Sequence, residues 1–214
     1  MKVDALLLCG YTFEKNTYNK MLSTAPKEWT FHSLNYPEIL HHGTNSTVHE
    51  AIKKYIKIHQ LNKVCLIAHS LGGAFAIDFA FYYPEMVKQI YLLNTIGSNN
   101  PATLVQFIQN LILSKRHNFS KHLKNDIKGF INIVSNPLDH FKLLKFARSI
   151  NLEEKAAKLS IPTTIIWGEK DYLIPLSIGE KLHVLIPNSR FIVLKGMDHD
   201  WPVHSPELFW NNIK

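Results

Sequence analysis

The chain has 214 residues, 46% of them hydrophobic and 19% charged, without repeats or low-complexity runs, so it fits one ordered domain with a sizeable core and excludes a disordered or repeat protein. Its formal charge is +7 at neutral pH, yet no nucleic-acid-binding motif accompanies the basic excess, and nucleic acid is not expected as a partner. No apolar run approaches the ~20 residues that span a bilayer, and Met1-Lys2-Val3-Asp4 leads into a short apolar run without a small-residue cleavage site, so a soluble, cytoplasmic protein is expected.

Val3 to Cys9 is a near-continuous apolar run ending at Gly10, which reads as a parallel strand buried on both faces. Tyr18 to Pro26 reads as a short helix or loop, and Trp29 to Leu34 alternates apolar and polar residues as an edge strand does. Asn35 to Thr47 carries loop signals, and Ser46 or Thr47 can cap a helix that places Val48, Ala51, Ile52, Tyr55 and Ile56 on one face. Lys53, Lys54 and Lys57 then fall toward solvent. Val64 to Ala68 is a second buried strand; His69-Ser70-Leu71-Gly72-Gly73 follows, and an apolar helix runs over Ala74 to Tyr83 and stops at Pro84. That succession is a strand, a sharp turn and a helix with Ser70 at the apex. Ala68 and Gly72, two positions to either side, are small enough for so tight a turn. Val87 to Leu93 gives the next strand, and strands alternating with helices imply a parallel α/β sheet.

The segment around Ser70 resembles the nucleophile elbow of the α/β-hydrolase family, with alanine in place of the first glycine of G-x-S-x-G. The resemblance implies that Ser70 is a nucleophile. It also implies that Cys9-Gly10-Tyr11 stands where the family often has His-Gly, so that the backbone N–H groups of Tyr11 and Leu71 form the oxyanion hole. Family members carry two further strands before the one that corresponds to Val3–Cys9. The expected fold is therefore a mostly parallel six-stranded sheet in the order 2-1-3-4-5-6, flanked by helices.

From Ser98 to Lys158 strand character disappears and amphipathic helices follow one another, with Asn100-Pro101 and Asn136-Pro137 as helix starts. By resemblance, residues 98–158 are a helical cap inserted in a core formed by 1–97 and 159–214. The cap holds ten Lys and Arg against four acids, which leaves open a solvated surface or an attraction for an acidic partner: a carboxylate-bearing substrate, an acyl group on an acidic carrier protein, or an anionic lipid surface.

Thr163 to Trp167 restores strand character, and Gly168-Glu169-Lys170-Asp171 followed by two apolar residues and Pro175 resembles the family's acid turn. Asp171 is the candidate acid, Glu169 its nearest competitor, and a helix cap its plain structural alternative. A last strand, Arg190 to Leu194, leads to Lys195-Gly196-Met197-Asp198-His199, which resembles the terminal histidine turn; His199 is the candidate base and His204 its rival. Ser70, Asp171 and His199 follow one another in the family's order Ser…Asp/Glu…His. Cys9 and Cys65 lie in apolar segments and are expected as free thiols. Although there are twelve histidines, none falls in a metal-ligand spacing, so no metal or cofactor is expected; His41, His42 and His49 read as loop and helix-surface residues. The expected activity is cleavage of a carboxylic ester or thioester through an acyl-enzyme. A triad-based lyase or C–C hydrolase, and a non-catalytic binding protein on the same scaffold, remain as alternatives.

Overall fold

The computed structural model describes residues 2–10, 15–34, 48–98 and 151–213. Each apolar run becomes a strand: β1 (Val3–Leu8), β2 (Trp29–Leu34), β3 (Val64–His69), β4 (Val87–Leu93), β5 (Thr163–Gly168) and β6 (Arg190–Leu194). They form one six-stranded sheet in the order β2-β1-β3-β4-β5-β6, with every neighbouring pair parallel, as the resemblance implies.

The helices are α1 (Asn19–Ser23), α2 (Val48–Ile58), α3 (Leu71–Tyr82), α4 (Glu153–Ala157), α5 (Leu176–Leu185), α6 (Trp201–His204) and α7 (Glu207–Asn212). They cover both faces of the sheet, which is why β3 and β5 are buried at every position and show no alternation in sequence. The period of two survives in what each side chain touches. Leu6, Leu8, Leu66, Ala68, Ile90, Leu92, Ile165 and Trp167 pack with α2, α3 and α5, whereas Ala5, Leu7, Cys65, Ile67, Tyr91, Leu93 and Ile166 face Tyr18, Met21, Trp201 and Phe209 on the other side. The outer strands β2 and β6 are only partly buried.

Because all six strands run the same way, their carboxyl ends share one edge of the sheet, and the segments that follow β1, β3, β4, β5 and β6 gather there. One close approach sets the first turn of α3 against the end of β1: a Cβ on Gly72 would stand 2.2 Å from the carbonyl oxygen of Leu8. The small residue after Ser70 therefore answers to β1 as well as to the turn itself.

Several expectations are corrected. The helix after Ser70 begins at Leu71 rather than Ala74, since the turn passes directly into helical geometry. Lys53 is half-buried, with Nζ 4.2 Å from the centroid of the Tyr83 ring and donating to Tyr83 Oη at 3.2 Å, because its alkyl stem covers apolar surface. His49 is no surface residue: its ring stacks 4.3 Å from that of Tyr82 and its Nδ1 lies 2.6 Å from Asp78 Oδ2. Lys155 Nζ pairs with the other oxygen of Asp78. Within residues 98–158, Leu152 and Ala156 pack with the core cluster on the α3 side of the sheet. Residues 99–150, with both Asn-Pro helix starts, lie outside the described residues, as do Tyr11, His41 and His42. Cys9 and Cys65 are buried free thiols. Among the described residues no helix is long and apolar enough to cross a membrane.

Candidate functional site

Ser70 occupies the single position between β3 and α3 with φ 54° and ψ −122°, a positive φ that costs a non-glycine residue of order 1–3 kcal/mol. The turn is held against that strain by its own backbone. Ser70 N–H donates to Leu93 O at 3.1 Å, and Ser70 O accepts from the amides of Gly73 at 3.1 Å and Ile96 at 3.2 Å. The serine is 9% exposed. The amide of Leu71, as a first-turn N–H, has no acceptor within its helix.

The loops after β5 and β6 bring Asp171 and His199 together. Asp171 Oδ2 accepts from His199 Nδ1 at 2.7 Å, while Oδ1 accepts from the amides of Leu173 and Ile174 at 2.9 and 2.8 Å. The carboxylate thus caps its own turn and leaves one oxygen for the imidazole; α5 starts after Pro175 without a side-chain cap, so Asp171 is not its cap. Both side chains of the pair are buried, 5% and 0% exposed. Burial by itself would lower the His199 pKa, but the charge and hydrogen bond of Asp171, with smaller contributions from Asp200 and Asp198, raise it above the ordinary histidine value. With Nδ1 committed to Asp171, Nε2 is the ring atom on which a proton can be exchanged.

The competitors are placed elsewhere. Glu169 is exposed and accepts from the amide of Gly196 at 2.7 Å through Oε2. His204 pairs with Asp198, Nε2 to Oδ1 at 2.9 Å, and its Nδ1 lies 2.9 Å from Ser205 Oγ.

Three residues to which the sequence reading gives no role join these loops. His69, the neighbour of Ser70, is fully buried, and its ring centroid is 4.9 Å from that of His199. Its Nε2 lies 2.9 Å from the His199 carbonyl oxygen, and its Nδ1 lies 2.7 Å from Tyr18 Oη. A carbonyl can only accept, so Nε2 carries the proton and Tyr18 O–H donates to Nδ1. Burial and then the proximity of His199 push the His69 pKa well below its ordinary value, which keeps the ring neutral. Tyr18 Oη in turn accepts from the amide of Gly10 at 3.2 Å. Asn94, buried at the end of β4 with φ 46°, donates through Nδ2 to the carbonyls of Asp198 and His199 at 2.9 and 3.1 Å. Its Oδ1 accepts from Gly168 N–H at 2.8 Å and Trp201 Nε1–H at 3.2 Å. An asparagine directly after an apolar strand was the available signal, since it tolerates left-handed backbone.

Among the described residues, His69, His199 and Asp200 bring ligand-type atoms within 4.8 Å of one another. His69, however, has Nε2 on a carbonyl and Nδ1 on Tyr18, so it would have to surrender one of these bonds to hold a cation.

No protein-family model matches the chain. It is similar to Lipase 3 of Moraxella sp. (strain TA144), 25% identical over 228 residues that cover 91% of this chain and 70% of the lipase. It is also similar to the uncharacterized hydrolase YugF of Bacillus subtilis (strain 168), 28% identical over 178 residues, 72% of this chain and 65% of that protein. The chain thus spans about two thirds of the length of these relatives. Among solved structures, the bromoperoxidase of Bacillus anthracis superposes with a TM-score of 0.79 at 14% identity over 99% of this chain and 90% of its own. It also superposes on MGS-M2, an alpha/beta hydrolase enzyme from a Medee basin deep-sea metagenome library, with a TM-score of 0.77 at 16% identity over 97% of this chain and 86% of that one, and with the sheet order this shows that the chain has the α/β-hydrolase fold.

Proposed function

We propose that this protein is a serine hydrolase of carboxylic esters or thioesters. The observation that carries the reading is the buried Asp171–His199 pair standing beside the strained Ser70 turn. In this reading His199 Nε2 accepts the Ser70 hydroxyl proton as Oγ attacks the carbonyl carbon, and Asp171 stabilises the imidazolium that results. The amides of Leu71 and Tyr11 receive the developing oxyanion. Collapse expels the alcohol or thiol, protonated by His199. Water, deprotonated by the same imidazole, then attacks the acyl-Ser70 and releases the acid. No cofactor or metal enters these steps. The lipase among the relatives supports esters as the substrate class, and residues 98–158 are assigned the part of a cap over the site.

Turnover of a panel of p-nitrophenyl esters of increasing acyl length tests the reading. Wild-type protein hydrolyses at least one member, and Ser70→Ala, which removes only a hydroxyl, lowers its kcat on the order of 10⁴-fold or more with an unchanged circular-dichroism spectrum. Near-normal turnover by purified Ser70→Ala contradicts it.

A further inference from the structure

The loop that carries His199 has to hold one imidazole in a fixed place, and two side chains from adjacent strand ends grip the same backbone atom of it. The His199 carbonyl oxygen accepts from His69 Nε2 at 2.9 Å and from Asn94 Nδ2 at 3.1 Å, so both of its lone pairs are occupied. Each gripping residue also reaches a second part of the site. His69 is bonded in the chain to Ser70 and connects through Tyr18 to the Gly10 amide, next to the proposed oxyanion donor Tyr11. Asn94 holds the amide of Gly168, where the turn that carries Asp171 begins.

We propose that His69 and Asn94 are positioning residues that fix the His199 turn on the ends of β3 and β4 through its carbonyl, and so keep the His199 imidazole between Asp171 and Ser70. This rests on the hydrolase reading. Neither side chain touches the reacting atoms; both act through the His199 backbone. All four bonding positions of the Asn94 amide are used, and both nitrogens of His69 are used, so the network is fully satisfied and resists rearrangement. The groups that surround His199 and set its protonation are Asp171, Asp198, Asp200 and His69.

The test compares three variants on the ester that the wild type hydrolyses best. His69→Leu removes the donor to the carbonyl. His69→Gln retains a side-chain N–H able to reach it. Asn94→Gly removes the amide while leaving the left-handed backbone unstrained. Displacement of a catalytic group by about 1 Å costs on the order of 10²-fold, so His69→Leu and Asn94→Gly should each lower kcat by about 10- to 100-fold with KM within about twofold. The pH midpoint of kcat should fall toward that of an ordinary histidine as the contact with Asp171 loosens. His69→Gln should recover to within about fivefold of wild type, as a retained hydrogen bond would allow. A merely structural role would lower thermal stability without a shifted midpoint and without recovery by glutamine. Folded His69→Leu with wild-type kcat and midpoint, or His69→Gln as impaired as His69→Leu, overturns the proposal. Should Asn94→Gly fail to fold, the two His69 variants decide the matter. Failure of the hydrolase reading is read separately, on Ser70→Ala: an inactive Ser70→Ala with an unimpaired His69→Leu sinks only the positioning claim.

Discussion

Two aspartate–histidine pairs meet at the turn after β6, one of them reaching back to the turn after β5, and they differ in almost everything except length. Asp171–His199 is 2.7 Å and Asp198–His204 is 2.9 Å. In the first pair the side chains are 5% or less exposed and the carboxylate is steadied by two backbone amides. In the second they are 22% and 13% exposed, and Asp198 Oδ1 is shared with the amide of Asp200. The His199 ring lies against His69, directly before Ser70, whereas the backbone carbonyl of His204 accepts from Lys20 Nζ at 2.6 Å, near the protein surface. An aspartate beside a histidine is therefore a poor marker of chemistry. On the proposed reading, what sets Asp171–His199 apart is exclusion of water, a carboxylate held by two backbone amides, and a ring packed beside the Ser70 turn.

The largest effect expected from breaking this contrast is that of the histidines. His199→Ala should lower kcat/KM on the order of 10⁴-fold, the scale of losing a triad base, while His204→Ala stays within about threefold, as befits a partly exposed pair away from the Ser70 turn. Steady-state kinetics on one ester settles the ranking, and a dead His204→Ala with an active His199→Ala reverses the assignment. Next comes the acid. Asp171→Asn should cost about 10³- to 10⁴-fold by disturbing the tautomer and the imidazolium, against a few-fold for Asp198→Asn.

The pH profile sharpens the same comparison. His199 must be neutral to act as a base, and its pKa is raised, so kcat/KM should be low in acid and rise with pH through a midpoint above the ordinary value of about 6.5. In Asp171→Asn the burial remains and the carboxylate charge is gone, so the midpoint of the residual activity should move down. An unmoved midpoint would mean that another group sets it. The smallest effect belongs to the cap charge: if its excess of Lys and Arg steers anionic substrates, kcat/KM for an anionic ester should fall as salt rises and that for a neutral ester should hold, because the Debye length is only about 10 Å at 0.1 M. Equal salt responses leave a plain solvated surface. Lys155 is not part of such a solvated surface, since it is engaged by Asp78 and lies 4.6 Å from the Tyr82 ring centroid.

The strands were legible because a parallel sheet covered on both faces writes itself as apolar runs closed by Gly, Asn or a charged turn, and β2, β4 and β6 span the residues read from sequence. Asp171 and His199 were legible as turn residues after late strands, and the structure brings them together. His69, Asn94 and Tyr18 were not, because nothing in their local sequence reports a bond to a residue tens of positions away. His69 reads as part of a serine turn and Tyr18 as the start of a short helix or loop, yet they are 2.7 Å apart. His49 and Lys53 were misread for the same reason: their polar ends suggest solvent, and only the packing of α2 on α3 supplies Asp78 and Tyr83 as partners.

The central claim is that Ser70 is a nucleophile activated by His199, and covalent labelling addresses it most directly. Wild-type protein treated with a fluorophosphonate should gain the mass of one phosphonyl group, located on the peptide that contains Ser70, with no such gain in Ser70→Ala and a labelling rate lowered at least about 10²-fold in His199→Ala. An unlabelled wild type, or a label carried on any other residue, contradicts the account.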